Sequence, residues 1–325
     1  MMAQNDLVVA GIDVAKDKVD VCIRSLSLKR TFASTAEDRR ELASWLRRNK
    51  VGKAVMEASG GYERDWASAL REAGIEVSIV DPKRVRYFAR SAGCLAKSDP
   101  IDAKMIAWYA ETFAVEARKP AHDADRDKLD RLMTARAMLV RLQTQIGQLA
   151  EHKQPPAVVK AQQALAKTLK AQLAKLEAVI AGEIQANEAF VARDEIMQSV
   201  PGVGATFAAA AIAWLPELGH ISNKEIAALV GAAPYVNESG ERKGERHIKG
   251  GRREIRDLLY MVAVGASTLH NPVLKAHYRQ LLARGKLKKV ALVACMRKLI
   301  VILNTMLARR QKWNPPAVVA RNAPT

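Results

Sequence analysis

Four carboxylates in the first third of the chain stand where they could do metal chemistry. Asp13 ends an apolar run in Gly11-Ile12-Asp13-Val14, and Glu57 ends another in Val55-Met56-Glu57-Ala58-Ser59-Gly60-Gly61. Asp99 and Asp102 lie three apart in Lys97-Ser98-Asp99-Pro100-Ile101-Asp102. An acid at a strand end is held at the sheet's edge, although Asp there is also a common turn-former, and Asp17 and Asp20 compete with Asp13 for the role. Glu57 has a weaker bland explanation, because an acid closing an apolar strand needs a partner. Asp99 at the N-cap, Pro100 at N1 and Asp102 at N3 would begin one helix; the same spacing also makes a plain capping motif. In combination the four acids match phosphoryl transfer with two Mg2+ ions, which take hard oxygen ligands and clamp the attacking and leaving oxygens. Mn2+ is the alternative ion, and without a metal such a cluster would repel itself.

A hydroxyl in the last third is the second candidate. Ser239 sits in Asn237-Glu238-Ser239-Gly240, and six basic residues follow within fourteen positions: Arg242, Lys243, Arg246, Lys249, Arg252 and Arg253. Guanidinium groups there could hold a scissile phosphate and stabilise charge as a hydroxyl attacks phosphorus. Ser before Gly is otherwise a turn residue, and Tyr235 is the rival nucleophile. Upstream, Val200-Pro201-Gly202-Val203-Gly204 runs into an Ala-rich helix, like the hairpin of helix-hairpin-helix modules. The amides of Gly202 and Gly204 at a helix N-terminus could bind phosphate, or the segment could be a tight turn between packed helices. Lys286, Lys288 and Lys289 open a last basic stretch, read either as a nucleic-acid track or as a solvated face.

These residues need elements to position them. Segments 7–12, 19–23 and 28–32 read as a three-strand meander, followed by a helix at 36–48, a strand at 53–56, a helix at 62–73 and a strand at 76–80. That order is α/β and matches a ribonuclease-H-like arrangement. Two more helices fit 82–92 and 100–113. Past a break at 116–127, Leu132, Ala135, Leu139, Leu142, Ile146 and Leu149 form a heptad seam. Pro155 and Pro156 stop it, and Leu165, Leu169, Leu173, Leu176 and Ile180 mark a return helix. This predicts three parts: an α/β domain over 1–120, a coiled-coil hairpin over 121–183 that connects or dimerises, and a mostly α-helical domain over 184–325 with an irregular hairpin or loop at 231–251.

The charge agrees with a polyanionic partner. The 325 residues carry a formal net charge of +18, a self-repulsion that DNA or RNA would neutralise. From Glu241 to Asn314 there are 18 Lys and Arg against four acids, so the C-terminal part is expected to carry most of the phosphate affinity. Cys22, Cys94 and Cys295 have no paired spacing and read as reduced, buried thiols. No stretch reaches about 18 consecutive apolar residues, and no signal-like start precedes one, so a cytoplasmic protein without a membrane partner is expected.

The ordered set of motifs at 11–16, 56–60, 97–103, 200–204 and 231–240 resembles the DEDD-type transposases of bacterial insertion sequences, the family numbered one hundred and ten. The resemblance covers nearly the whole chain. It implies a RuvC-like N-terminal domain whose Asp13, Glu57, Asp99 and Asp102 bind Mg2+, and a C-terminal transposase domain whose Ser239 forms a phosphoserine link to DNA. It further implies donor and target DNA as substrates, a structured noncoding bridge RNA that pairs with both, and a homo-oligomer, a dimer forming a tetramer on DNA, with each active site shared between protomers. Two positions depart from the family's common pattern, Glu238 beside the serine and Glu241-Arg242-Lys243 after it. A RuvC-like structure-selective nuclease using metal-activated water, with Ser239 only structural, and a nucleic-acid binder with an inactive site are the competing readings.

Overall fold

The computed structural model describes residues 7–94, 99–113, 124–235, 238–239, 242–244 and 246–315, with backbone alone for 99–101, 238–239 and 242–243. The chain divides into two compact units at about residue 122.

The first unit is a mixed sheet with helices on both faces. Its elements are β1 (Val8–Val14), β2 (Lys18–Ile23), β3 (Leu28–Ala33), α1 (Ala36–Arg48), β4 (Val51–Glu57), α2 (Glu63–Glu72), β5 (Glu76–Val80), α3 (Pro82–Ser91) and α4 (Asp99–Thr112). The strand order is β3-β2-β1-β4-β5; β2 is antiparallel to both β1 and β3, whereas β4 runs parallel to β1 and β5. Alternation along each strand sorts side chains to two cores. Ala10, Ile12, Ala54 and Met56 pack with Leu42, Leu46 and Trp66 of α1 and α2. Val9, Val55 and Val80 face the other way, onto Met105, Ile106 and Tyr109 of α4. The helix at α4 starts at Asp99 itself, one residue before the predicted N1, and the spacing to Asp102 is preserved.

The second unit is helical. It begins with a long antiparallel pair, α5 (Ala124–Ala150) and α6 (Pro156–Gln185), joined by ion pairs Lys128–Glu183 at 2.7 Å and Arg136–Glu177 at 2.6 Å. The predicted seam is only partly inward. Leu169, Leu173 and Ile180 are buried, but Leu142, Leu149 and Leu165 are exposed. Periodicity identifies an apolar face of a helix without saying what covers it. At their inner ends, Leu129, Met133, Ile180 and Ile184 enter the core built by α7 (Glu188–Gln198), α8 (Ala205–Trp214), α9 (Asn223–Leu229), α10 (Arg253–Gly265), α11 (Pro272–Ala283) and α12 (Lys288–Arg309). α8 is buried from Phe207 to Ala213, its run of small alanines allowing neighbours to close on every side. α12 is, by length and composition, apolar enough to cross a membrane, which the count of strictly consecutive apolar residues missed; half of its most apolar stretch is buried in this core. The three cysteines are free, with Cys22 and Cys295 buried and Cys94 half-buried.

Between α9 and α10 the chain forms a small two-rung hairpin. β6 (Pro234–Tyr235) pairs antiparallel with β9 (His247–Ile248), and further out β7 (Glu238–Ser239) pairs with β8 (Arg242–Lys243).

One contact controls the first unit's geometry. A Cβ placed on Gly11 would lie 2.3 Å from the Ala107 amide nitrogen and 2.4 Å from the Ala103 carbonyl oxygen, so α4 rests on the backbone of β1. Gly11→Ala is therefore expected to destabilise this unit by about 3 kcal/mol, the upper range for overpacking. Thermal denaturation checks this, and a melting temperature equal to the wild type would contradict the packing.

Candidate active site

The carboxylate edge follows from register. Ile12 of β1 is paired with Met56 of the parallel β4, so Asp13 and Glu57 are the next residues along and share a face. That face is the α4 side, since Val9, Gly11 and Asp13 alternate with Ala10 and Ile12. Val9 packs among Met105, Ile106 and Tyr109, while Gly11 meets Ala103 and Ala107. Moving along β1 toward Asp13 thus leads toward the start of α4, where Asp102 and then Asp99 stand. Asp13 and Glu57 thus share one edge of the sheet, and the start of α4, which carries Asp102, lies toward the same end of this face. Asp13, Glu57 and Asp102 are half-buried; the side chain of Asp99 lies outside the described residues.

Asp20 is the acid the sequence left in competition. It is the direct cross-strand partner of Asp13, on the same face. Its carboxylate is taken up locally, by Lys18 at 3.1 Å and by the Thr31 hydroxyl, which donates to it. Asp17 is exposed in the turn between β1 and β2. Glu63 was not singled out by sequence reasoning. Its buried carboxylate accepts from the Ser59 amide at 3.0 Å, the Ser59 hydroxyl at 3.1 Å and the Gly61 amide at 2.9 Å. It therefore fixes the loop that leaves β4 directly after Glu57. The available signal was an acid two residues past a Gly pair, a spacing that lets a side chain return to its own turn.

The donor set at this edge is all carboxylate oxygen, which suits a hard divalent ion. Among the described residues no three His, Cys, Asp or Glu side chains stand close enough to hold a metal.

In the second unit, Ser239 is paired in register with Arg242, and Glu238 with Lys243. The rival nucleophile Tyr235 is half-exposed and lies opposite His247 one rung nearer the base. Arg246 and Lys249 are exposed or half-exposed around that base. Arg253 is exposed and 3.6 Å from Asp257, a spacing within one helix that holds an ion pair weakly. Arg252 has a different occupation from the one expected. It donates to both carboxylate oxygens of Glu217, at 2.8 and 2.7 Å, and to the Trp214 carbonyl at 2.6 Å. Its fork is engaged within the protein by Glu217 and the Trp214 carbonyl.

Gly202 has a packing role, the tight-turn alternative named from the sequence. At φ +94 it packs on Ala266, whose Cβ would be 2.9 Å from an added Cβ, so the turn demands glycine for close packing. The same turn is fastened by the Trp313 amide, which donates to Ser199 at 2.8 Å. Gly204 is exposed at the N-cap of α8 with open space beside it, and keeps its candidate role.

Lys286, Lys288 and Lys289 are exposed where α12 begins. Cations at a helix N-terminus oppose its dipole, so they do not serve the helix. On α11, burial, then Lys298 and Arg284, push the imidazole of His277 below its ordinary range. If phosphates bind this end, neutralising Lys286, Lys288 and Lys289 flattens the salt dependence of nucleic-acid affinity by ~0.9 in slope for each phosphate that is no longer neutralised. Filter binding across a salt series measures it, and an unchanged slope places the nucleic acid elsewhere.

Comparison with known proteins agrees with both halves. Residues 10–152 match a DEDD-type IS110 family model described as "Transposase", and residues 194–279 match one described as "Transposase IS116/IS110/IS902 family". The chain is 24% identical to the pilin gene-inverting protein of Moraxella bovis, over 94% of this chain and 97% of that protein. It is 23% identical to the pilin gene-inverting protein of Moraxella lacunata over the same shares. The chain belongs to the IS110 family of transposases and is a DNA transposase or recombinase.

Proposed function

We propose that this transposase cuts and rejoins DNA through a phosphoserine at Ser239, with Mg2+, or Mn2+ in its place, held by Asp13, Glu57, Asp99 and Asp102. The observation that carries the reading is the register placing Asp13 and Glu57 side by side at the end of two parallel strands, on the face where α4 brings its own two acids. The order β3-β2-β1-β4-β5, a meander followed by parallel strands, supports the RuvC-like assignment of this unit. A divalent ion bound there would polarise the oxygens of the scissile phosphate.

In the cleavage step the Ser239 oxygen bonds to phosphorus as the bond from phosphorus to one deoxyribose oxygen breaks. The serine proton leaves and the departing oxygen gains one. In the rejoining step the hydroxyl of a new strand end attacks the phosphoserine, and Ser239 recovers its proton. Arg242, paired with Ser239, and Lys243, Arg246 and Lys249 supply the positive charge that such a phosphate requires. Specificity is assigned to a structured bridge RNA pairing with donor and target DNA, in keeping with a surplus of +18 charges. The working form is a homo-oligomer, a dimer that becomes a tetramer on DNA, with active sites shared between protomers. The outward Leu142, Leu149 and Leu165 of the helical pair are available for a coiled-coil contact in it.

Two experiments test this. Labelled donor and target DNA with Mg2+ and the element's flanking RNA should give a covalent protein–DNA band on a denaturing gel. The band is expected to vanish with Ser239→Ala and persist with Tyr235→Phe; cleavage without any band would make the protein a nuclease acting through metal-activated water. Asp102→Asn should abolish strand exchange while leaving nucleic-acid affinity nearly intact, and a parallel loss of binding would show that Asp102 is structural.

A further inference from the structure

The serine hairpin consists of two ladders of two residue pairs each, far too small to hold their own orientation. Its base is fixed from outside. Gly231 and Gly251 bring the two legs together so closely that a Cβ on Gly251 would fall 2.2 Å from the Gly231 amide nitrogen. Immediately beyond, the Arg252 amide donates to the Leu229 carbonyl at 2.9 Å, and Arg256 donates to the Gly250 carbonyl at 2.6 Å. The Arg252 guanidinium then reaches across to the segment after α8, gripping Glu217 bidentately and the Trp214 carbonyl. The Glu217 side chain is only 13% exposed. Trp214 is held in turn from the long helical pair, its Nε1–H donating to Asp130 of α5 at 2.8 Å. An unbroken path of hydrogen bonds thus runs from α5, through Trp214 and Arg252, to the foot of the strands bearing Ser239.

We infer that Glu217 and Arg252 are positioning residues for strand transfer, aiming the Ser239 hairpin, and that Asp130 and Trp214 tie this aim to the long helices. The inference rests on Ser239 as the nucleophile. Arg252 acts through the hairpin and makes no phosphate contact. A bidentate fork is required, because a lysine ammonium cannot hold both Glu217 oxygens and the Trp214 carbonyl in one plane.

Three readouts on the full-length protein with DNA and RNA test this: adduct formation rate at saturating DNA, the salt slope of DNA affinity, and hydrogen exchange of the Tyr235 and Ile248 amides. In Arg252→Lys and Glu217→Gln the rate should fall about 100-fold, the scale of a misplaced reacting group. The salt slope should not change and hairpin exchange should quicken, with the overall melting transition retained. Asp130→Ala should lower the rate in the same direction by a smaller factor. Adduct formation at the wild-type rate in Arg252→Lys and Glu217→Gln overturns the inference, as does a salt slope reduced in a charge-removing Arg252→Gln, which would make Arg252 a phosphate ligand. If Ser239→Ala still forms the adduct, the serine reading fails; hairpin exchange then decides the anchor alone, and unchanged exchange in both variants overturns it.

Discussion

The contact of α4 with the bare backbone of β1 at Gly11 is the constraint on which the carboxylate edge depends. Two acids come from strand ends, and their placement is secured by sheet register alone. The other two come from a helix distant in sequence, and only its descent onto Gly11 brings its first turn to the same edge. Any side chain at position 11 would lift that turn away. Like charges brought together at this edge would repel one another unless a cation compensated them.

The second unit solves a different problem. Its core is helical, and the proposed nucleophile lies on a small hairpin outside that core. The Gly231–Gly251 approach and the Arg252–Glu217 fork give the base of that hairpin its footing. Only partial burial surrounds the fork, so it serves geometry more than stability. The division of labour is consistent with the charge distribution. Acids are concentrated where a cation belongs, and none follows Asp257 in the part that meets a polyanion.

Much of the first unit was legible in the sequence because local signals agreed with the tertiary outcome. α1 runs over Ala36–Arg48 as its periodicity predicts, with Thr35 capping the Asp38 amide at 3.1 Å, and β5 spans Glu76–Val80 as read. The four acids were identifiable as types at strand and helix ends. Their common face was not, since it depends on which residues of β4 lie opposite which of β1. The partner of Arg252 was hidden for a similar reason, since Glu217 lies 35 positions away and meets it only through the fold. The outward leucines of the long helices show the limit of periodicity, which reveals an apolar stripe without saying what covers it.

The bond to DNA is proposed to be made by a serine in this hairpin. The most direct measurement is mass spectrometry on the trapped protein–DNA complex after nuclease and protease digestion, locating the residue that carries the nucleotide remnant. The expected remnant is on Ser239. A remnant on Tyr235, or on a residue of the carboxylate edge, would contradict it.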